Sequence, residues 1–185
     1  MRVIAGEYKN LELEVPKSGT RPTTSKLKEA VFSSLESRGA VEGRVLDLFA
    51  GSGALGFEAL SRGADFLTVV DCSREAVKCL KKNAAPFKEG GRGVEVIPMK
   101  AEKFLEGCRG KFDLIFLDPP YGMGSAEFGK ILSGSTNLLS PGGYIVAERE
   151  KEDFLPSGLK AVKTMKSGST TCEILLKEAE ENGKF

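Results

Sequence analysis

Apolar residues in this chain come in short runs, each followed by a turn and then by a stretch with helical spacing. From Val45 onward the theme repeats, which is the pattern of βα units feeding a parallel sheet. The runs predict strands over residues 45–49, 66–71, 94–98, 112–117 and 144–148, and two more over 159–164 and 171–176. Helices are predicted over 54–62, 74–87, 101–108 and 126–139. Phe112-Asp113-Leu114-Ile115-Phe116-Leu117 is almost unbroken apolar sequence, as expected of a strand covered on both faces, so it belongs at the centre of the sheet. Only a polar, glycine-containing turn, Met165 to Thr170, separates the last two runs. It leaves no room for a crossover helix, so those strands should pair antiparallel.

The predicted fold is therefore α/β: a mostly parallel seven-stranded sheet with helices on both faces and a C-terminal antiparallel hairpin. Residues 1–44 read as an extension, with an extended start (2–15), a turn (16–19) and a helix (24–37). Residues 45–177 read as one α/β domain, and 178–185 as a charged tail expected to fray.

Two stretches carry chemistry. Val45-Leu46-Asp47-Leu48-Phe49-Ala50-Gly51-Ser52-Gly53-Ala54-Leu55-Gly56 is a strand, a glycine turn and the opening of a helix. Its glycines fit the pattern that lets a backbone approach a nucleotide at a helix N-terminus, and they equally fit a tight turn with no ligand. Asp71 ends the second strand about 20 residues on, where a carboxylate can accept hydrogen bonds from ribose hydroxyls; a helix-capping role for Asp71 or Ser73 fits as well. Asp47 narrows the choice of cofactor. A carboxylate in the first strand is costly to bury unless it meets a cation or donors, and it would repel a pyrophosphate. The ammonium of a methionyl group would suit it.

The second stretch is Leu117-Asp118-Pro119-Pro120-Tyr121, at the carboxyl end of the central strand, where open α/β sheets bind ligands. Each proline holds the residue before it in extended geometry and lacks an N–H, which leaves a rigid rim rich in acceptors. An aromatic amine is a poor nucleophile because its lone pair is delocalised. If the Asp118 carboxylate and the Pro119 carbonyl accept its N–H bonds, the nitrogen can pyramidalise and aim at a sulfonium methyl. Tyr121 would stack on the base, which implies a flipped or unpaired nucleotide. The bland alternative is a proline strand terminator with a surface tyrosine.

Composition removes other classes. No apolar run reaches the length of about 18 residues that a membrane span needs, and an acidic residue, Glu7, interrupts any early signal-like stretch, so a cytoplasmic protein without membrane contact is expected. Cys72, Cys79, Cys108 and Cys172 form no C-x-x-C pair and the chain has no histidine, so no metal site is expected. The net charge of +1 supplies no bulk attraction to nucleic acid. Arg2, Lys9, Lys17 and Arg21 could form a phosphate-contacting edge, while the glutamates among them fit a mixed solvated surface equally well. No cysteine stands in the rim to act as a nucleophile, so transfer without a covalent enzyme intermediate is expected.

At this point the chain resembles the class I methyltransferases that modify exocyclic amines, and more narrowly the RsmD family of small-subunit ribosomal RNA guanine-N2 methyltransferases. The resemblance rests on Arg2-Val3-Ile4-Ala5-Gly6, on Thr20-Arg21-Pro22-Thr23-Thr24, on the stretch from Leu48 to Gly63, and on Asp118-Pro119-Pro120-Tyr121. It implies S-adenosylmethionine as cofactor, with Ala50, Gly51, Ser52 and Gly53 around the methionine part and Asp71 with Cys72 at the ribose. Ala101 and Glu102 would face the adenine, Asp118 would border the cofactor as well, and Asp118, Pro119, Pro120 and Tyr121 would form the catalytic rim, with Asp118 and Tyr121 holding the target guanine. It also implies a lid at residues 21–24 and RNA contact through Arg2, Arg21, Thr23 and Thr24. The implied partner is ribosomal RNA, within the small subunit or an assembly intermediate, and the expected state is a monomer. Ser25, Lys100 and Ser167 depart from the family pattern. Alternative readings are methylation of DNA adenine or of a protein glutamine, and a non-catalytic RNA-binding assembly factor.

Overall fold

A computed structural model describes residues 1–17, 25–120, 122–149, 158–167 and 170–178. The element order is α1 (Ser25–Glu36), β1 (Arg44–Asp47), α2 (Ala54–Ser61), β2 (Phe66–Asp71), α3 (Arg74–Glu89), β3 (Gly93–Pro98), α4 (Ala101–Gly107), β4 (Phe112–Leu117), α5 (Ser125–Leu138), β5 (Leu139–Arg149), β6 (Leu159–Ser167) and β7 (Thr170–Lys177). The strands form one seven-stranded sheet in the order β3-β2-β1-β4-β5-β7-β6. Pairing is parallel from β3 to β5, whereas β7 runs antiparallel to both β5 and β6. The predicted fold class, the central strand and the terminal hairpin are all present.

β4 shows why its sequence is apolar without alternation. Leu114 and Phe116 enter the core shared with α1, α2 and α3, while Ile115 and Leu117 enter the core shared with α4 and α5. Both faces of the sheet are therefore covered. α2 is buried along all 8 of its residues, because it lies between the sheet and the N-terminal segment. Val3 and Leu13 of that segment belong to the same core as Phe57 and Phe87, so residues 1–17 are built into the sheet's helical layer. The segment folds back on itself through a single bridge, Arg2 with Glu12, around a turn, and forms no regular ladder.

Predicted boundaries differ where polar residues continue an element. Ladder pairing of β1 ends at Asp47 and not at Phe49. Beyond it, Leu48 still donates to the Phe116 carbonyl. β5 begins at Leu139, directly after α5, because Leu139 is already extended and pairs with Phe112. Gly142 at φ 76° then absorbs a register shift before the regular ladder from Tyr144. β6 runs on to Ser167, since its threonine and lysines are tolerated on an exposed edge strand.

Candidate active site

The carboxyl ends of β1, β2 and β4 open on one cavity of about 420 Å³. The neighbouring order β2-β1-β4 brings the two motifs together, although about 70 residues of sequence separate them. Asp47, Ala50, Gly51, Ser52, Asp71, Cys72, Ala101, Glu102, Asp118, Pro119 and Pro120 all line this space. Gly53 does not line it; as the left-handed N-cap of α2, at φ 77°, it shapes the turn. A Cβ there would collide with the Phe57 ring and with Leu80, so glycine is needed for packing as well as for conformation. Arg2 lies outside the cavity lining, exposed, with its carbonyl accepting from Lys28 Nζ. Tyr121, Arg21, Thr23 and Thr24 fall outside the described residues.

The glycine turn is held by Asp71. The Gly51 N–H donates to Asp71 Oδ2 at 2.9 Å, and the Ser73 N–H donates to Asp71 Oδ1 at 2.8 Å. A carboxylate offers about four acceptor positions, so Asp71 orders the turn and retains capacity for hydroxyl donors. The cap of α3 is Ser73, whose hydroxyl accepts from the Ala76 N–H. The capping role expected of Asp71 or Ser73 therefore falls on Ser73.

Asp47 is 2 % exposed, and among the described residues its only donor is the Gly56 N–H, 3.1 Å from Oδ2. Gly56 permits this approach, for a Cβ at that position would stand 2.8 Å from Leu67 and 3.2 Å from the Asp47 oxygen. Burial pushes the Asp47 carboxyl up to about 7; the Gly56 N–H opposes the rise, and the nearby charges of Asp118 and Asp71 add to it. A buried acid with a single donor is costly to ionise unless a cation or further donors reach it.

Asp118, at the end of the neighbouring strand β4, is half-buried, followed by half-buried Pro119 and exposed Pro120. Cys172 of β7, paired with Glu148 of β5, is 2 % exposed. Burial pushes that thiol up to about 12, with the charges of Glu148, Asp118 and Glu173 reinforcing the shift. Cys172 therefore stays protonated and is no nucleophile.

The cavity also has walls that no sequence motif indicated. Met1, Val15 and Pro16 come from the N-terminal segment, Met99 and Lys100 from the β3–α4 junction, and Met123 and Glu127 from the start of α5. Lys100, which departs from the family pattern, is an exposed member of this lining. Their placement depends on long-range packing, so spacing along the chain carries no trace of it.

Comparison with known proteins points the same way. The sequence model of the family described as Conserved hypothetical protein 95 matches residues 1–176. The chain is 38% identical over 155 residues to ribosomal RNA small subunit methyltransferase D of Haemophilus influenzae, covering 82% of this chain and 80% of that one. It is 37% identical to the protein of the same name from Escherichia coli, covering 85% and 78%. A solved Escherichia coli structure described as a methyltransferase superposes with a TM-score of 0.84 at 32% identity, covering 97% of this chain and 99% of that one.

Proposed function

The chain belongs to the RsmD family of ribosomal RNA methyltransferases, and on that premise we propose that it methylates the exocyclic N2 amine of a guanine in small-subunit ribosomal RNA, using S-adenosylmethionine. One observation carries the reading: Asp118 and Pro119 line the same cavity as the buried Asp47 carboxylate and the glycine turn.

The residues present fit the cofactor. A volume of about 420 Å³ lies in the range of small-molecule sites. Asp47 is a buried carboxyl lacking a cationic partner among the described residues, and an amino group of a methionyl moiety would stabilise its ionised form. Asp71, which lines the cavity beside the Gly51 loop and keeps spare acceptor capacity, suits ribose hydroxyls. Ala101 and Glu102 flank the remaining slot, where an adenine would lie. When bound, the cofactor supplies an electrophilic methyl group on a sulfonium.

The chain's own part is to hold the amine. Asp118 and the Pro119 carbonyl would accept the two N–H bonds of the base, turning the nitrogen lone pair away from the ring and toward the methyl donor. Tyr121 would stack on the base face. Acceptors fixed by prolines need no reorganisation as charge develops on the nitrogen. The high-lying Cys172 thiol supports direct transfer to nitrogen, because a carbon-methylating route through a cysteine adduct needs a thiolate. RNA contact through Arg2, Arg21, Thr23 and Thr24, and action as a monomer on the small subunit or its precursor, complete the proposal.

Incubation with methyl-labelled S-adenosylmethionine and unmodified small ribosomal particles, naked ribosomal RNA, duplex DNA or bulk protein tests it. Label should enter the ribosomal samples alone; transfer to DNA or protein in preference to RNA would replace the substrate.

A further inference from the structure

Asn83 sits on α3, one turn beyond Cys79, and is 5 % exposed. It takes no part in the chemistry described above, yet its amide is almost fully used. Nδ2 donates to the Ser52 carbonyl at 2.9 Å and to the Glu14 carbonyl at 2.9 Å, and Oδ1 accepts from the Glu14 N–H at 2.8 Å. One side chain thus ties the glycine turn to the N-terminal segment. Immediately after Glu14 come Val15 and Pro16, both in the cavity lining. Val15 is 38% exposed, alone among the described large hydrophobic residues, and it is exposed at this cavity. The Lys82–Glu14 ion pair lies on the same junction, but both partners are about half exposed and add little.

We propose that Asn83 is a positioning residue for the cofactor site: through one amide it registers the Glu14 backbone against Ser52, so that Val15 and Pro16 stand as the cavity's outer wall and cover the bound nucleoside. The proposal rests on the cofactor reading given above. Its physical basis is the cost of misplacement. Both N–H groups of the amide are spent on carbonyls from two distant segments, and losing them leaves the buried Ser52 carbonyl unsatisfied and the wall free to move. The apolar Val15 side chain gains only when something covers it.

The test compares Asn83→Ala, Asn83→Asp and Val15→Ser with the unsubstituted full chain. Titration calorimetry gives S-adenosylmethionine affinity, thermal melting gives stability, and methyl transfer at saturating cofactor gives turnover. Asn83→Asp is isosteric and keeps the acceptor but not the donors. Affinity should fall about tenfold or more in both Asn83 variants, the size expected for lost buried hydrogen bonds, while turnover at saturation falls far less. Val15→Ser, whose side chain is on the surface, should weaken binding about threefold with an unchanged melting temperature. Recovery of affinity by Asn83→Asp would show that shape alone matters and overturn the assignment. Wild-type affinity in the folded Asn83→Ala protein, or in Val15→Ser, would overturn it too. If the unsubstituted protein binds no S-adenosylmethionine, the cofactor reading falls and takes this proposal with it; equal binding by all four proteins removes this proposal alone.

Discussion

At the residue scale, Asp47 links the site to pH. Its carboxyl is raised from 3.8 to about 7 in the folded chain, so between those values the folded state holds a proton that the unfolded chain has lost. The stability this contributes is complete below 3.8 and disappears as the pH rises through about 7. Binding of an ammonium has the opposite requirement, since it needs the carboxylate. Cofactor affinity should therefore drop as the pH falls below about 7, by about tenfold per unit, and Asp47→Asn should bind weakly with that dependence abolished. Calorimetric titrations from pH 5.5 to 7.5 (about two units, chosen to bracket the transition) check it, and a flat profile in the unsubstituted protein would remove Asp47 as the cation's partner. Asp47, Asp71 and Asp118 were legible as cavity-facing positions because a carboxylate within or just after an apolar run must find donors or open space. Asn83 was not, since an asparagine in an amphipathic helix looks like any solvated residue until the Glu14 backbone is found against it.

At the scale of elements, α2 joins the glycine turn to the N-terminal segment through buried charge. Glu58 is fully buried and accepts from the Ile4 and Ala5 N–H groups, from Lys28 Nζ at 2.9 Å and from Arg62 Nε at 2.8 Å. Burial alone would raise its carboxyl, but the Ile4 N–H, Lys28 and Arg62 together hold it below the ordinary 4.5. Its stabilisation is thus present above 4.5 and is lost as the pH falls through the lower folded value. Glu58→Ala strands the buried Lys28 and two backbone donors, and should cost about 3–5 kcal/mol in urea unfolding at neutral pH. A loss under about 1 kcal/mol would mean that water reaches the cluster and relieves it. The helix itself was plain from the run of apolar residues, whereas Glu58 was not read as buried, because all its partners but Arg62 come from the distant residues 4, 5 and 28. Boundaries were lost for a related reason: Leu139 and Ser167 are extended because of their sheet neighbours and not because of their own propensities.

At the scale of the whole molecule, the sheet order decides the function. Only when β1 lies between β2 and β4 do the glycine turn, Asp71 and Asp118 face one space. The βα rhythm announced a parallel sheet and the polar turn announced the hairpin, but placing β7 between β5 and β6 is a matter of tertiary pairing. Because the cavity is built from the N-terminal segment, β1–β4 and α5, a ligand that fills it should stabilise the fold as one unit. Saturation at about 100 times Kd contributes about 2.7 kcal/mol. For a chain of this size that is a rise in melting temperature of about 5–10 °C, measurable by calorimetric scanning with S-adenosylmethionine, and absence of any shift would contradict a shared cavity.

The central claim is that Asp118 acts on the amine and not on the cofactor. Single-turnover transfer of labelled methyl to unmodified small-subunit RNA, followed by digestion to nucleosides, compares the unsubstituted protein with Asp118→Ala under cofactor concentrations that saturate both. The account predicts label in N2-methylguanosine, nearly equal cofactor affinity, and transfer slowed by about 10²-fold or more in the variant. Undiminished transfer by Asp118→Ala, or a parallel collapse of cofactor binding, would contradict it.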